Sequence, residues 1–172
     1  MTDPLQTNLH GPTFVEWRSE IQEQTDRGAA IIAAAFLDAR LEEVILSQLP
    51  QSGQPTDRLF SGNAPIGSFS AKIDMVFAMG LIGLNTHRDL TLMRKIRNEF
   101  AHHFGAISFG TPSIRSQCSE IWICQTYKEY KKVSGPTDPR EQYLQAVLMI
   151  FHLLVTELDE RRNGRSTPKN LL

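Results

Sequence analysis

The chain has 172 residues, of which 41% are hydrophobic and 22% are charged, a composition typical of one soluble globular domain. Its formal net charge of -1 at pH 7 argues against a broad surface for duplex DNA, because non-specific DNA affinity comes mainly from cations that neutralise phosphates. No apolar run approaches the ~20 residues of a membrane span and no signal peptide is evident, so we expect a cytoplasmic protein without membrane contact.

Helical patterns begin near the N-terminus. We divide the chain into a flexible arm at residues 1–12, a helical domain at 13–162 and a disordered tail at 163–172. Phe14–Gln24 has the apolar spacing of a short amphipathic helix. Asp26–Leu49 is free of helix breakers and is apolar on all sides in its first half, which predicts a central, buried helix.

The middle of the chain predicts a loop between helices. Glycine, proline and small polar residues are dense over residues 51–67, which is loop composition. Phe69–Met79 is predicted as a helix. Asn85 or Thr86 is expected to cap the next helix, which we predict to continue to Phe104 with that side chain in the core.

The C-terminal part adds two helices. Pro112–Ile123 is predicted as a short helix, and Asp138 with Pro139 forms a cap and first position for a final helix of about six turns. Ala106–Phe109 is the only strand candidate. The fold class is therefore predicted as all-α, a single-domain bundle of about six helices. Because the two long helices carry more apolar surface than such a bundle readily hides, we also expect a symmetric oligomer, most simply a homodimer.

Cysteines and carboxylates show no metal-binding pattern. Cys118 and Cys124 have no further Cys or His at ligand spacing, and a reducing compartment makes a disulfide improbable. We interpret both as buried free thiols. No metal ion and no cofactor are predicted.

The segment from Arg97 to His102 carries the groups best suited to chemistry. Arg97 can donate two parallel hydrogen bonds to a phosphate. His102, with an ordinary pKa of about 6.5, can move a proton near neutral pH, and Asn98 can orient either group. Because a regular helix advances by about 100° per residue, Arg97 and His102 point about 140° apart. Their convergence requires an unwound helix near Ala101 or two facing copies.

A structural interpretation of the same segment is also open. In it, Arg97 pairs with a carboxylate such as Asp38 or Glu42, and Asn98 bonds a neighbouring loop. His102 and its neighbour then only complement the helix dipole in the last turn.

Several segments between Thr25 and Cys124 together resemble the mannitol operon repressor family of bacteria. They are Asp26-Arg27-Gly28-Ala29-Ala30, Phe36-Leu37-Asp38, the loop from Leu59-Phe60 through Pro65-Ile66-Gly67-Ser68-Phe69-Ser70-Ala71-Lys72-Ile73, and Ile96 to His102. This resemblance implies an all-helical fold and a role in transcriptional regulation without a recognisable DNA-reading module.

The pattern of Arg97-Asn98 followed by His102 is also similar to the R-x4-6-H motif of the HEPN superfamily, helical bundles that include metal-independent ribonucleases. That resemblance implies that Arg97, Asn98 and His102 form an active site across a dimer, with RNA as the substrate.

We favour a repressor-like regulator that acts through a protein partner, with the ribonuclease as the alternative. A direct DNA reader is third, because the Arg94-Lys95-Arg97 cluster lies on a helix whose other face belongs to the core. We expect no specific binding of duplex DNA by the protein alone.

Overall fold

Helices account for all the regular secondary structure in the part of the chain that is described. The structure, a computed structural model, describes residues 19–49, 53–131 and 138–162. Its helices are α1 (Asp26–Gln48), α2 (Gln54–Asp57), α3 (Phe69–Ala78), α4 (Leu84–His102), α5 (Pro112–Ser119), α6 (Trp122–Lys131) and α7 (Pro139–Arg162). The predicted all-α bundle is confirmed. Residues 106–109 form no strand, and the predicted loop contains one helical turn, α2.

Helix α1 is the centre of the bundle and packs against α3, α4 and α7. Its start is fixed by the Thr25 hydroxyl, which accepts a hydrogen bond from the amide of Gly28 at 3.2 Å. Small buried side chains such as Ala30 let the neighbours approach closely, and the hydroxyl of Tyr143 on α7 donates to the Ala30 carbonyl at 3.2 Å. The predicted central position is confirmed, but burial on all sides is not, because Ile31 remains 37% exposed.

Both ends of α4 differ from the prediction. Gly83, rather than Asn85 or Thr86, occupies the N-cap position, and no side chain caps this end of the helix. The helix ends at His102, and the next residue is extended. Phe104 therefore leaves the helical spacing that would point it into the core, and its side chain is fully exposed.

The segment predicted as one helix over Pro112–Ile123 is in fact two helices, α5 and α6. The break is stabilised by Asp89 on α4, whose buried carboxylate accepts hydrogen bonds from the amides of Trp122 and Ile123, each at 2.9 Å. A carboxylate from another helix thus caps the start of α6. Nothing in the local sequence of α5 and α6 indicates this contact.

A polar clamp fastens the start of α1 to the C-terminal half of the chain. Asp26 Oδ1 lies 2.7 Å from Arg140 Nη1 of α7, and its Oδ2 accepts from the amide of Phe109 at 2.9 Å. Arg140 also donates to the carbonyls of residues 21, 22 and 24. The N-terminal ends of both long helices are therefore held at the same place.

The two cysteines are buried thiols that form no disulfide, as predicted. Burial raises the pKa of the Cys118 thiol to about 12, which keeps it protonated and unreactive near neutral pH. Among the described residues, no helix is long and apolar enough to cross a membrane. The predicted arm at 1–12, the tail at 163–172 and residues 14–18 of the predicted helix Phe14–Gln24 lie outside the described residues. Residues 19–22 are helical.

Candidate functional site

The structure does not bring Arg97 and His102 together within one chain. Both lie on the last turns of α4, which is a regular helix through Ala101 to its end at His102. Arg97 is half-buried, with its guanidinium carbon 5.9 Å from the centre of the Phe69 ring, whereas His102 is exposed. The unwound helix that one-chain convergence requires is therefore absent from α4. A composite site would need a second copy.

Asn98, the third predicted residue, is half-buried beside Arg97 on α4. Within the described residues its side chain makes no hydrogen bond to a loop, so that structural expectation is not met. Its neighbour Glu99 has a clear structural role, because its carboxylate accepts hydrogen bonds from Ser113 and Gln117 of α5.

The carboxylates expected to hold Arg97 are instead held by Lys72 of α3. Its Nζ lies 3.1 Å from Asp38 Oδ1 and 2.7 Å from Glu42 Oε2, and the lysine side chain is buried. Burial acts to lower the pKa of Lys72, but hydrogen bonds and attraction from Glu42 and Asp38 outweigh it and raise the pKa. The expected pairing of Arg97 was wrong, and the ion pairs fasten α3 to α1.

Several residues of the repressor-like segments also have structural roles. Arg27 donates to the carbonyl of Gly105 at 3.0 Å, and Ser68 caps α3 through the amide of Ala71. Gly67 lies so close to the preceding turn that a Cβ there would be 2.4 Å from the carbonyl oxygen of Gly62. Arg27, Ser68 and Gly67 therefore contribute to the fold.

The clearest candidate for recognition is an exposed apolar surface where α3 meets α4. This corner patch consists of Asp74, Phe77, Leu84 and His87. Phe77 is 40% exposed and Leu84 is 69% exposed. The rings of Phe77 and His87 are 4.8 Å apart, and His87 Nε2 lies 2.8 Å from Asp74 Oδ1. Exposed aromatic and aliphatic side chains with a polar edge are typical of protein-binding surfaces.

Charged side chains border the corner patch on the α5 side. Arg88 Nη2 lies 4.0 Å from Glu120 Oε2, and both side chains are more than half exposed. Beneath them, burial raises the pKa of Asp89, although its hydrogen bonds from Trp122 and Ile123 and the charge of Arg88 oppose the shift. Asp89 thus joins α4, which carries Leu84 and His87, directly to α6.

A groove of about 480 Å³ lies between α5 and the start of α7. Arg115, Ser116 and Ser119 line it, together with Pro139, and it contains none of the sequence-predicted site residues. Among the described residues, no group of three or more histidine, cysteine or acidic side chains is arranged to hold a metal ion.

One comparison with known proteins shows a family, and another shows a similar fold. The model of the family described as mannitol repressor matches residues 55–158, which is more than half of the chain. A comparison with curated protein sequences found no match. Among solved structures, the chain is similar to one from the X-ray structure of the MtlR-HPr complex from Escherichia coli. The TM-score is 0.55 at 16% sequence identity, and the alignment covers 84% of this chain and 97% of that chain.

Proposed function

The chain belongs to the mannitol repressor family, and we propose that this helical regulator acts by binding a protein partner through the corner patch. The observation that carries the proposal is the exposure of Phe77 and Leu84 on two helices that the contacts of His87 with Phe77 and Asp74 join. Aromatic and large apolar side chains dominate the energetics of protein interfaces when a polar rim surrounds them.

The solved structure with a similar fold supports the choice of partner. It is described as a complex of MtlR with HPr, so a protein of the HPr kind is the first candidate for this chain. We propose that the regulator reaches its target in the cytoplasm through this complex, without reading DNA itself. Its near-neutral net charge of -1 is consistent with a regulator that does not bind DNA itself.

Calorimetric titration tests the proposal. HPr from the same source as this chain is added to the full-length purified protein at micromolar concentration. We expect saturable binding with one HPr per chain. The absence of binding at concentrations up to hundreds of micromolar would contradict the proposed partner.

We also propose that the chain associates with a second copy. The apolar surface of the two long helices led to this expectation, and the structure leaves part of it exposed on α1.

The ribonuclease alternative depends on the same self-association. Arg97, Asn98 and His102 would have to meet their counterparts across a dimer to act on RNA, since one chain holds Arg97 and His102 apart. No contact among the described residues favours this arrangement, so it stays a prediction with its own test.

A further inference from the structure

Helix α1 lies at the centre of the bundle, yet the described residues leave one of its apolar faces uncovered. Its packing against α3, α4 and α7 leaves Ile31 37% exposed, and Ala35 and Ala39 are exposed as well. At about 100° per residue these three side chains lie within about 80° of one another and form one face. We call this surface the open face of α1. An apolar helix face is normally buried against another element.

We propose that the open face of α1 binds the same face of a second copy, with the two helices antiparallel and a twofold axis at Ala35. This inference rests on the self-association proposed above and names its surface. In such a symmetric contact each residue meets the one equally far beyond Ala35. Ile31 therefore faces Ala39 of the partner subunit, so a large side chain meets a small one. The alanines let the helices approach closely.

The charges on α1 favour the antiparallel arrangement. Arg27 bonds the Gly105 carbonyl, and no described carboxylate lies within salt-bridge distance of it. At the other end of the helix, Lys72 forms ion pairs with both Asp38 and Glu42. One cation faces two carboxylates, so one negative charge is left uncompensated. An antiparallel pair places Arg27 within one residue of Glu42 of the partner subunit. A parallel pair would place like charges together.

Cysteine cross-linking locates the contact directly. At the twofold axis Ala35 faces its own copy, so Ala35→Cys should form an intermolecular disulfide under mild oxidation. That bond requires Cα atoms about 4.4–6.8 Å apart. Ala78→Cys is the matched control, because Ala78 is an exposed alanine on the neighbouring helix α3. The native cysteines are buried and should not interfere.

A second variant tests the same surface without oxidation. Ala35→Arg places a charge at the axis, where two copies would repel, and the exposed position should leave the helical fold of each chain intact. Light scattering should show a dimer for the parent and a monomer for Ala35→Arg, with Ala78→Arg remaining dimeric.

The other outcomes overturn the inference in distinguishable ways. If the parent stays monomeric at tens of micromolar, both the proposed self-association and its proposed surface are wrong. If Ala35→Arg instead remains a dimer, and Ala35→Cys cross-links no more than the Ala78→Cys control, the chain self-associates through another surface. Loss of HPr binding in Ala35→Arg from a monomeric parent assigns the open face to the heterologous partner instead.

Discussion

Nε2 of His87 lies 2.8 Å from Oδ1 of Asp74, which ties the first turn of α4 to the exposed side of α3. The His87 ring also contacts Phe77, so the exposed aromatic side chain is supported by a neighbour. A binding surface that is held in place before its partner arrives loses less conformational entropy on binding. The corner patch is thus an ordered surface on two helices.

Leu84→Glu should weaken HPr binding by about tenfold or more, because it places a charge in the corner patch. Leu84 is 69% exposed, so its replacement should change the free energy of unfolding by no more than about 0.5 kcal/mol. Calorimetric titration and urea denaturation of the same preparation measure the two quantities.

Leu59→Glu is the matched control, because Leu59 is also an exposed leucine, at 37%, and lies outside the corner patch. It should bind HPr as the parent does. Equal binding by the parent and by Leu84→Glu would move the interface away from the corner patch while leaving HPr as the partner.

Much of the fold could be predicted from the sequence because apolar periodicity survives in the long helices. α7 begins after its predicted cap, Asp138. α1 begins at the predicted residue, Asp26, although its cap, Thr25, was not predicted. The break between α5 and α6 could not be predicted, since the group that stabilises it is Asp89, more than thirty residues away. Phe104 was misplaced for a local reason, because the helix ends two residues earlier.

The candidate site was harder to predict because it is made by tertiary contacts. Phe77 and Leu84 belong to different helices, and a single exposed apolar residue is ordinary in a sequence. His87 had no visible partner along the chain, whereas the structure gives it both Asp74 and Phe77. The signal available in the sequence was Leu84. It is a leucine at the first position of a helix that has no apolar face at that point.

The pure protein should not shift an operator fragment of duplex DNA specifically. Its net charge is -1, and its basic side chains on α4 are not presented by a base-reading helix. Gel-shift titrations with the operator and a scrambled duplex at physiological salt measure this. Preferential binding of the operator that survives added salt would show that the protein reads DNA without a partner.

Lys72→Met should lower the free energy of unfolding by about 1–3 kcal/mol, because it leaves Asp38 and Glu42 without their shared cation. The two carboxylates are four residues apart on α1 and would then repel each other. Arg88→Met is the control, since its ion pair with Glu120 is exposed and loose at 4.0 Å. That variant should cost no more than about 0.5 kcal/mol.

The parent and Lys72→Met together also test the direction in which the pKa of Lys72 is shifted. The folded state raises this pKa above its ordinary value of 10.5, so the native protein holds the proton more tightly than the unfolded chain does. The stabilisation is complete below that value and is lost as the pH rises through the raised pKa. The difference between parent and Lys72→Met should therefore be constant from neutral to mildly alkaline pH and shrink only at higher pH. A difference that shrinks on acidification toward neutral pH would contradict this assignment.

Arg97→Ala and His102→Ala separate the regulator from the ribonuclease. If the segment is structural, Arg97→Ala should lose only its contact over the Phe69 ring, which is worth about 0.5–1 kcal/mol at a partly exposed site. His102→Ala should be nearly silent, since that side chain is exposed. Neither the parent nor the variants should cleave RNA, and all should bind HPr equally.

The ribonuclease alternative predicts the opposite result for the same variants. A catalytic pair needs the functional groups of both side chains for activity, and their packing contributes little to stability. Cleavage of single-stranded RNA by the parent, lost in both variants while their melting curves stay unchanged, would establish the enzyme. That activity should then also disappear in Ala35→Arg if the dimer formed by the open face of α1 brings the two sites together. Activity that survives in the monomer would exclude a site shared between two copies, because within one chain the regular helix α4 keeps Arg97 and His102 about 140° apart.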